Sequence, residues 1–287
     1  MELCLGTVQF GTNYGINQAK VSFQDAEDIL VDAVAHGIHK IDTASAYGNA
    51  EQVIGNIMSD RELLFDINSK LYSKSLDRGC VVRSILKSLE NLKIDQLHGY
   101  LLHRAEYLKN RVIMDELLEC KCKGLVRQIG VSTYTPEEAM DAIRNEAVDC
   151  IEVPYNILDL RLDEFSFFEK AHKQGKKVYL RSIFLQGILL MEEDQLTNYL
   201  RTNAWKWIDV VHRAADSLSI TVLQLILDFM KTCSADYLVF GVENAQQYYE
   251  IVAAFEKADT GRLDFGAFRQ QFADIPENVL NPSKWSS

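Results

Sequence analysis

Short apolar segments alternate with longer amphipathic segments along almost the whole chain. The short segments carry nearly continuous apolar side chains, as expected of parallel strands that are covered on both faces. There are eight of them: ELCLGT, HKIDTA, LLFDINSK, HGYLLH, RQIGVS, CIEVPY, KVYLRS and YLVFGV. Eight strands alternating with helices predict an α/β fold, a (β/α)8 TIM barrel that forms a single domain over residues 1–287. An open, doubly wound sheet would share much of this pattern.

The longer segments have apolar residues at the spacing of one helix face. They are FQDAEDILVDAVAHG, RGCVVRSILKSLENLK, RVIMDELLECKCKG, PEEAMDAIRN, LDEFSFFEKAHKQG and AQQYYEIVAAFEKA. Ser22 and Thr135 precede two of these segments as N-cap residues. Gly37, Gly124 and Gly175 follow the ends of others, where a left-handed residue commonly terminates a helix. The segments are therefore predicted to be the crossover helices.

Two regions depart from the simple repeat. An insertion at about 184–220 follows the seventh predicted strand and contains the predicted helix LTNYLRTNAWKWIDVVHRAADSLS. Loops at this end of barrel strands commonly carry function. A tail at about 261–287 is loosely patterned, and we expect it to wrap the surface or to cover a barrel end.

Composition and charge narrow the class of protein. The chain is 47% hydrophobic and 25% charged, which is typical of a globular domain with a sizeable core. Its formal net charge of -11 disfavours nucleic acids and anionic membranes as partners, so a small-molecule substrate is expected. Six cysteines lack disulfide-framework spacing, and neither a secretory signal nor a membrane span is visible. These features predict a cytoplasmic protein, and they do not indicate an oligomeric state.

Two short motifs superficially suggest a metal. The CKC segment ends a predicted helix and lacks a second pair of ligands, so it does not predict a zinc site. The EKADTGRLDFGA segment is similar to a calcium loop. Aligning Gly261 to the sixth position of such a loop places Ala258 and Ala267 where oxygen ligands are required. No metal is therefore predicted.

Asp42, Tyr47, Lys70 and His103 can assemble a proton-donating site, because three of them end predicted strands and Tyr47 lies in a following loop. A tyrosine with its ordinary pKa near 10 is protonated at neutral pH and can donate this proton when the phenolate is stabilised. Lys70 can supply the stabilising charge, and Asp42 can hold Lys70 through a charge-assisted hydrogen bond. Each residue alone is more simply a cap, loop or surface residue. Their combination predicts an enzyme.

The same residues carry a resemblance to a known family. Together with LGTVQFG, IDTASAYGNAEQVIG, NSKL, LLHR, GLVRQIGVS, PYNILD, RSIFLQGIL and FGVEN, they resemble the aldo-keto reductase family in its own motif order over nearly the whole chain. The resemblance implies an oxidoreductase that interconverts an aldehyde or ketone and its alcohol with hydride from a nicotinamide cofactor. It implies Tyr47 as the general acid/base, with His103 orienting the substrate oxygen. A cofactor-binding regulatory subunit and a redox-neutral isomerase or epimerase remain alternatives.

The resemblance also implies a cofactor site and a substrate pocket. The implied cofactor contacts are Gly6, Thr7, Asp42, Ser132, Glu152, Arg181, Ser182, Leu185, Gln186, Gly187, Gly241, Glu243, Asn244 and Gln247. Among them, the segment around Gly187 would lie near the pyrophosphate of the cofactor. The helix after FGVEN would offer backbone N–H groups to a cofactor phosphate. Phe10, Tyr14, Trp205 and Trp207 could line the substrate pocket, although each is equally consistent with packing.

Three features depart from the commonest family pattern. Glu152 replaces a common glutamine, and Arg181 replaces a common aromatic residue. We hypothesise that these two residues pair and tune cofactor binding, an ordinary salt bridge being the alternative. The FGVENAQQ segment contains no cation to bind an adenosine 2′-phosphate. NADP(H) is expected from the resemblance, and NAD(H) carries nearly equal weight.

Overall fold

The eight apolar segments form parallel strands in a computed structural model that describes residues 1–72 and 77–285. The strands are β1 (Glu2–Gly6), β2 (Lys40–Asp42), β3 (Asp66–Leu71), β4 (Leu97–Leu102), β5 (Val126–Ser132), β6 (Cys150–Pro154), β7 (Lys177–Arg181) and β8 (Tyr237–Phe240). They form a closed barrel in chain order, and β8 pairs with β1. The predicted (β/α)8 barrel is confirmed, and this closing pair excludes the open sheet.

Helices connect successive strands on the outside of the barrel. The α-helices are α1 (Val8–Gly11), α2 (Phe23–Ala35), α3 (Ala50–Arg61), α4 (Cys80–Leu92), α5 (Arg111–Cys122), α6 (Pro136–Arg144), α7 (Phe167–Lys173), α8 (Asn198–Asn203), α9 (Trp205–Ser217), α10 (Val222–Met230), α11 (Ala245–Glu256), α12 (Phe265–Arg269) and α13 (Glu277–Leu280). Short 3-10 helices span Ala105–Lys109, Asp163–Phe165, Leu185–Leu190, Glu193–Gln195, Gln270–Phe272 and Pro282–Lys284.

The predicted helix caps are present. The Ser22 side chain accepts a hydrogen bond from the Asp25 N–H, and Thr135 accepts one from the Glu138 N–H. The glycines predicted just past helix ends, Gly37, Gly124 and Gly175, all have positive φ. Local capping chemistry therefore marks these boundaries correctly.

The helix predicted across the insertion is interrupted at Ala204, which separates α8 from α9. Leu200, Ala204 and Ile208 are all buried at helical spacing, so the apolar pattern continues through the break. This continuity explains why the sequence pattern does not reveal it. In the described part of the chain, no single helix is long and apolar enough to cross a membrane. Helices α9 and α10 reach that length and composition only when they are taken together, and they are bent by 98° relative to each other.

The C-terminal segment packs against the outer helices. Arg262 Nε lies 2.6 Å from Asp228 Oδ2 in α10, and Arg269 Nη1 lies 3.0 Å from Asp163 Oδ2. Asn278 donates a hydrogen bond of 2.8 Å to the Tyr199 hydroxyl in α8. The contact of Asn278 attaches α13 to helix α8 of the insertion.

Strand alternation determines which side chains enter the barrel. Cys4, Leu101, Cys150, Tyr179 and Val239, from five different strands, pack in one buried cluster inside it. Since alternate residues of a strand face the same side, residues two positions further along also point inward. These are Gly6, His103, Glu152, Arg181 and Gly241, all predicted site residues. The six cysteines of the chain are free thiols.

Candidate active site

Lys70 is the centre of a buried cluster of charges at the C-terminal ends of the strands. Its ammonium group contacts Asp42 Oδ2 and lies 3.4 Å from the Thr43 carbonyl oxygen and 3.3 Å from Glu152 Oε2. The lysine is only 1% exposed. Although burial opposes ionisation, Asp42 and Glu152 raise the pKa of Lys70 well above its ordinary value. Lys70 is therefore a permanent cation in this site.

Tyr47 lies beside this cation. Its ring centroid is 5.6 Å from Lys70 Nζ. Burial raises the pKa of Tyr47 well above its ordinary value, whereas Lys70 acts in the opposite direction by favouring the phenolate. Tyr47 is therefore a protonated phenol with a cation in place to stabilise its ionised form.

Two glycines position the loop that carries Tyr47. A Cβ atom added to Gly11 would lie 1.7 Å from the Tyr47 carbonyl oxygen. Gly48, which follows Tyr47, has a φ of +57°, and a Cβ atom there would lie 2.5 Å from the Gly11 carbonyl oxygen. The end of α1 and the Tyr47 loop are therefore in direct backbone contact, which only residues without a side chain permit.

We expect Gly11→Ala to destabilise the protein by about 1–3 kcal/mol, because the added methyl group must displace the backbone at Tyr47. The measurement is the free energy of unfolding in denaturant. Gly261→Ala is the matched control, since its Cβ atom would meet Asp259 Oδ1 at an ordinary 3.4 Å and neither glycine has a left-handed φ. Equal effects of the two substitutions would contradict the role assigned to Gly11.

His103 packs against the rings of two tyrosines. Its ring centroid is 6.3 Å from that of Tyr47 and 5.9 Å from that of Tyr72, in edge-on geometry to both. Burial, followed by the charge of Lys70, lowers the pKa of His103 to about 4. A neutral imidazole at physiological pH can orient a substrate oxygen without adding a charge.

Glu152 connects the Lys70 cluster to Arg181. Glu152 Oε1 accepts a 2.7 Å hydrogen bond from Ser132 and lies 3.4 Å from Arg181 Nε, while Oε2 faces Lys70. Burial disfavours its ionisation, but Lys70 and Arg181 together lower the pKa of Glu152 to about 2. Burial and the adjacent Glu152 raise the pKa of Asp42 to about 8. The structure therefore forms the hypothesised pair of Glu152 and Arg181, and adds a contact with Lys70.

Arg181 is itself held by neighbours from two strand ends. It donates hydrogen bonds to the Thr133 carbonyl oxygen at 2.9 Å and to Ser182 Oγ at 3.3 Å. Its guanidinium carbon is 4.5 Å from the centroid of the Tyr134 ring. This distance is that of a cation–π contact between Arg181 and Tyr134.

The segment after β7, which is predicted to lie beside the cofactor pyrophosphate, has several residues with a left-handed backbone. After β7, Ser182, Leu185 and Gln186 have φ values of 59°, 47° and 55°, and Gly187 has 95°. Left-handed non-glycine residues are uncommon and cluster at ligand-binding sites.

At the start of α11, the groups around the predicted phosphate site already have protein partners. Asn244 Oδ1 accepts from the Gln247 N–H at 2.9 Å, and Asp25 Oδ1 accepts from the Ala245 N–H at 3.4 Å. Glu243 accepts hydrogen bonds from Asn17 at 3.1 Å and 3.2 Å. The carboxylates of Asp25 and Glu243 make this helix terminus acidic.

Other predicted cofactor contacts lie among the strand ends. The Thr7 hydroxyl donates to the Asp42 carbonyl oxygen at 3.0 Å. Gly6 packs tightly against β8, since a Cβ atom there would lie 3.2 Å from Val239 Cγ1. Gly241 packs against Gln9 in the same way, since a Cβ atom added to Gly241 would lie 3.0 Å from Gln9 Oε1.

The aromatic residues predicted for the substrate pocket lie in different places. Phe10 is buried in the core, and the Tyr14 hydroxyl accepts a hydrogen bond of 3.4 Å from Gln186. Trp205 has its ring 5.5 Å from that of His212, and Trp207 packs under Lys206, with its ring centroid 4.0 Å from Lys206 Nζ. Tyr14 is thus beside the predicted pyrophosphate segment, whereas these ring contacts of the two tryptophans lie within the insertion.

Four features of the site are not indicated by the sequence pattern. They are the approach of Glu152 to Lys70, the rings of Tyr72 and Tyr134, and the Gly11 contact with Tyr47. Inward alternation from Cys150 is a signal that points Glu152 into the barrel. The two tyrosines lie on loops, for which no comparable periodicity exists.

A comparison with protein families gives one family over most of the chain. The family model described as "Aldo/keto reductase family" matches residues 2–264. Among curated proteins, methylglyoxal reductase DkgB of Yersinia pestis is 30% identical over 154 residues, which cover 51% of this chain and 56% of that protein. The chloroplastic pyridoxal reductase of Arabidopsis thaliana is 30% identical over 215 residues, which cover 65% of this chain and 59% of that protein. The chain spans about half the length of the curated relatives it matches.

Solved structures share the fold at lower identity. An aldo-keto reductase from Bacillus halodurans, in its holo form, superposes with a TM-score of 0.76 at 19% identity, covering 98% of this chain and 95% of that one. An aldo/keto reductase from Klebsiella pneumoniae in complex with NADP and acetate gives a TM-score of 0.72 at 20% identity. The superposition covers 94% of this chain and 90% of that one. These likenesses concern the barrel.

Proposed function

Because the chain belongs to the aldo/keto reductase family, we propose that it is a nicotinamide-dependent oxidoreductase that interconverts an aldehyde or ketone and its alcohol, with Tyr47 as general acid/base. The observation that carries the proposal is the position of the Tyr47 ring. Its centroid lies 5.6 Å from the buried Lys70 Nζ and 6.3 Å from the centroid of the His103 ring. A protonated phenol beside a cation that stabilises its anion can donate a proton to a carbonyl oxygen, and a neutral imidazole can orient that oxygen.

The proton chemistry follows from the residues of the chain. Tyr47 donates its hydroxyl proton to the substrate oxygen, and Lys70 stabilises the phenolate that remains. Asp42 holds Lys70 in place through their direct contact. His103, with its pKa lowered to about 4, remains neutral and orients the substrate oxygen beside Tyr47. In alcohol oxidation, the same phenolate takes the proton back.

The residues present fit a nicotinamide cofactor. Within residues 1–72 and 77–285, Thr43 Oγ1 and His103 Nδ1 at these strand ends are among the buried polar atoms without a hydrogen-bond partner, as expected where a ligand completes a site. The cofactor, when bound, supplies the hydride to the carbonyl carbon. Ser132, Arg181 and the left-handed segment that follows Arg181 would hold it.

Two considerations bear on which cofactor is bound. The solved neighbours from Klebsiella pneumoniae are complexes with NADP and NADPH, which supports NADP(H). In this chain, Glu243 and Asp25 are acidic groups at the start of α11, where a 2′-phosphate would be repelled and a ribose hydroxyl could donate a hydrogen bond. We retain NADP(H) and NAD(H) as the two candidates.

We expect sustained consumption of reduced cofactor, followed by its near-ultraviolet absorbance, when the protein is supplied with a panel of aldehydes and ketones. Thermal unfolding with NADPH and with NADH separately identifies the preferred cofactor, because the tighter ligand raises Tm more at equal concentration. Binding of one equivalent without turnover would indicate a regulatory subunit. Substrate conversion without net cofactor consumption would indicate an isomerase or epimerase.

A further inference from the structure

Lys70 lies between two buried carboxylates rather than one. Asp42 contacts its ammonium directly, and Glu152 Oε2 approaches it to 3.3 Å. Glu152 is only 1% exposed, so water does little to screen its charge. Its other oxygen lies 3.4 Å from Arg181 Nε, which makes Glu152 the link between the two cations of the site.

A second carboxylate changes what Lys70 does to its neighbour. The ammonium favours the Tyr47 phenolate, since Lys70 Nζ lies 5.6 Å from the centroid of the Tyr47 ring and opposite charges attract strongly in a buried site. A carboxylate beside the ammonium repels the same phenolate and cancels part of this effect. A glutamine at the position would hold Lys70 by a hydrogen bond without this repulsion.

We propose that Glu152 is a positioning residue for the proton donor: through its ion pair with Lys70 it keeps Tyr47 protonated and extends the pH range in which the site donates a proton. The catalytic meaning of this proposal rests on the proposed function. Reduction uses the protonated phenol and alcohol oxidation uses the phenolate. Glu152 therefore moves the alkaline limit of reduction, and the onset of oxidation, to higher pH.

Other groups around Tyr47 do not obscure this effect. The titratable groups that face it are Lys70, Asp42, Glu152, Tyr14 and His103. His103, with a pKa lowered to about 4, is uncharged at alkaline pH. Asp42, with its pKa raised to about 8, is ionised once the pH is well above that value. Replacing Glu152 removes one of the causes that raise the pKa of Asp42, so Asp42 is ionised in both proteins at the pH where Tyr47 ionises.

The test measures ionisation of Tyr47 in the free protein. Replacing Tyr47 by 3-fluorotyrosine lowers the intrinsic pKa of the phenol, and 19F NMR then reports its ionisation without cofactor or substrate. With Glu152→Gln, we expect the titration midpoint to fall by about one pH unit, because one buried negative charge is removed. The amide oxygen of the substituted side chain can still accept from Ser132, and circular dichroism checks that the fold is retained.

Two further variants separate charge from packing. Glu152→Asp keeps the charge but shortens the side chain, so its midpoint should stay close to that of the wild type. Glu51→Gln removes another buried carboxylate, one that accepts hydrogen bonds from Ser69 at 2.7 Å and Asn91 at 3.1 Å and makes no ion pair with Lys70 in the described residues. We expect no shift from Glu51→Gln, because Ser69 alternates with Lys70 and faces away from the barrel interior.

The outcomes are distinct. An unchanged or higher midpoint in Glu152→Gln, or an equal fall in Glu51→Gln or Glu152→Asp, would overturn the proposal. If the enzyme reduces carbonyl compounds, the alkaline limit of kcat/KM should move down in Glu152→Gln by the same amount as the NMR midpoint. If no carbonyl compound is reduced, the proposed function fails, and the NMR titration still decides the role of Glu152.

Discussion

Tyr47→Phe is expected to lower kcat/KM for carbonyl reduction by roughly 100- to 10,000-fold, the usual contribution of a positioned general acid. The substitution removes only the hydroxyl group, and the ring that packs edge-on to His103 is kept. We therefore expect unchanged thermal unfolding and an unchanged cofactor Kd, measured by fluorescence titration. Turnover close to that of the wild type would refute Tyr47 as the acid.

The matched control for this variant is Tyr72→Phe. Tyr72 also packs edge-on against His103, with its ring centroid 5.9 Å from that of the imidazole. No ion pair or ring contact in the described residues places it near Lys70, whereas Tyr47 lies 5.6 Å from the ammonium. Because only Tyr47 has a cation to stabilise its phenolate, Tyr72→Phe should keep most of the activity. A larger loss in Tyr72→Phe than in Tyr47→Phe would assign the acid to Tyr72 instead.

Lys70→Met is expected to destabilise the fold by about 3–5 kcal/mol, because it leaves two buried carboxylates without their common partner. Glu152 would then keep Arg181 as its cation partner, and Asp42 would have no ion pair in the described residues. The measurement is the free energy of unfolding in denaturant at several pH values. We also expect carbonyl reduction to be lost, since the Tyr47 phenolate would no longer be stabilised.

The pH dependence of this loss has a definite sign. Without Lys70, the pKa of Asp42 in the folded state rises further above its ordinary value near 4, and the pKa of Glu152 rises from its lowered value of about 2. The folded state then binds more protons than the unfolded state, so stability falls as pH rises through the folded pKa values. The deficit of Lys70→Met should therefore be smaller at pH 5 than at pH 8. A deficit that grows as pH falls would contradict this account.

Lys40→Met is the matched control for Lys70→Met. Lys40 is also a buried lysine of a neighbouring strand, and its ammonium lies 3.1 Å from Asp66 Oδ2. The Asp66 side chain is 44% exposed, so water can solvate it after the partner is removed. We expect a loss of about 1 kcal/mol or less from this ion pair. Equal losses in the two variants would mean that the carboxylates of the site are not specially dependent on Lys70.

Most strands and helices are predictable from the chain, and the exceptions have physical reasons. Helix α3 escapes a periodicity analysis because its buried face includes Glu51 and Gly55 as well as apolar residues. Gly55 is required there, since a Cβ atom would lie 2.2 Å from the Asn91 carbonyl oxygen of α4. Helix α10 is a short and largely apolar segment, which periodicity alone does not distinguish from a buried strand.

In the candidate site, too, some features can be predicted from the sequence and others cannot. The positions of Asp42, Lys70 and His103 at strand ends follow from the apolar pattern, because strand length and alternation decide where an inward side chain emerges. The distances within the cluster do not follow from it. Glu152 belongs to β6 and Lys70 to β3, and only the curvature of the closed barrel brings their side chains to 3.3 Å.

The class of fold, the order of the strands and the residues that end them can be predicted from the chain alone, because these depend on local periodicity and capping. Which charges share a partner depends instead on the assembled barrel. Closing the barrel directs the inner side chains of all the strands toward one axis, and burial there makes their charges interact strongly. For this reason Lys70 is held by two carboxylates, a property that none of the three strands shows by itself.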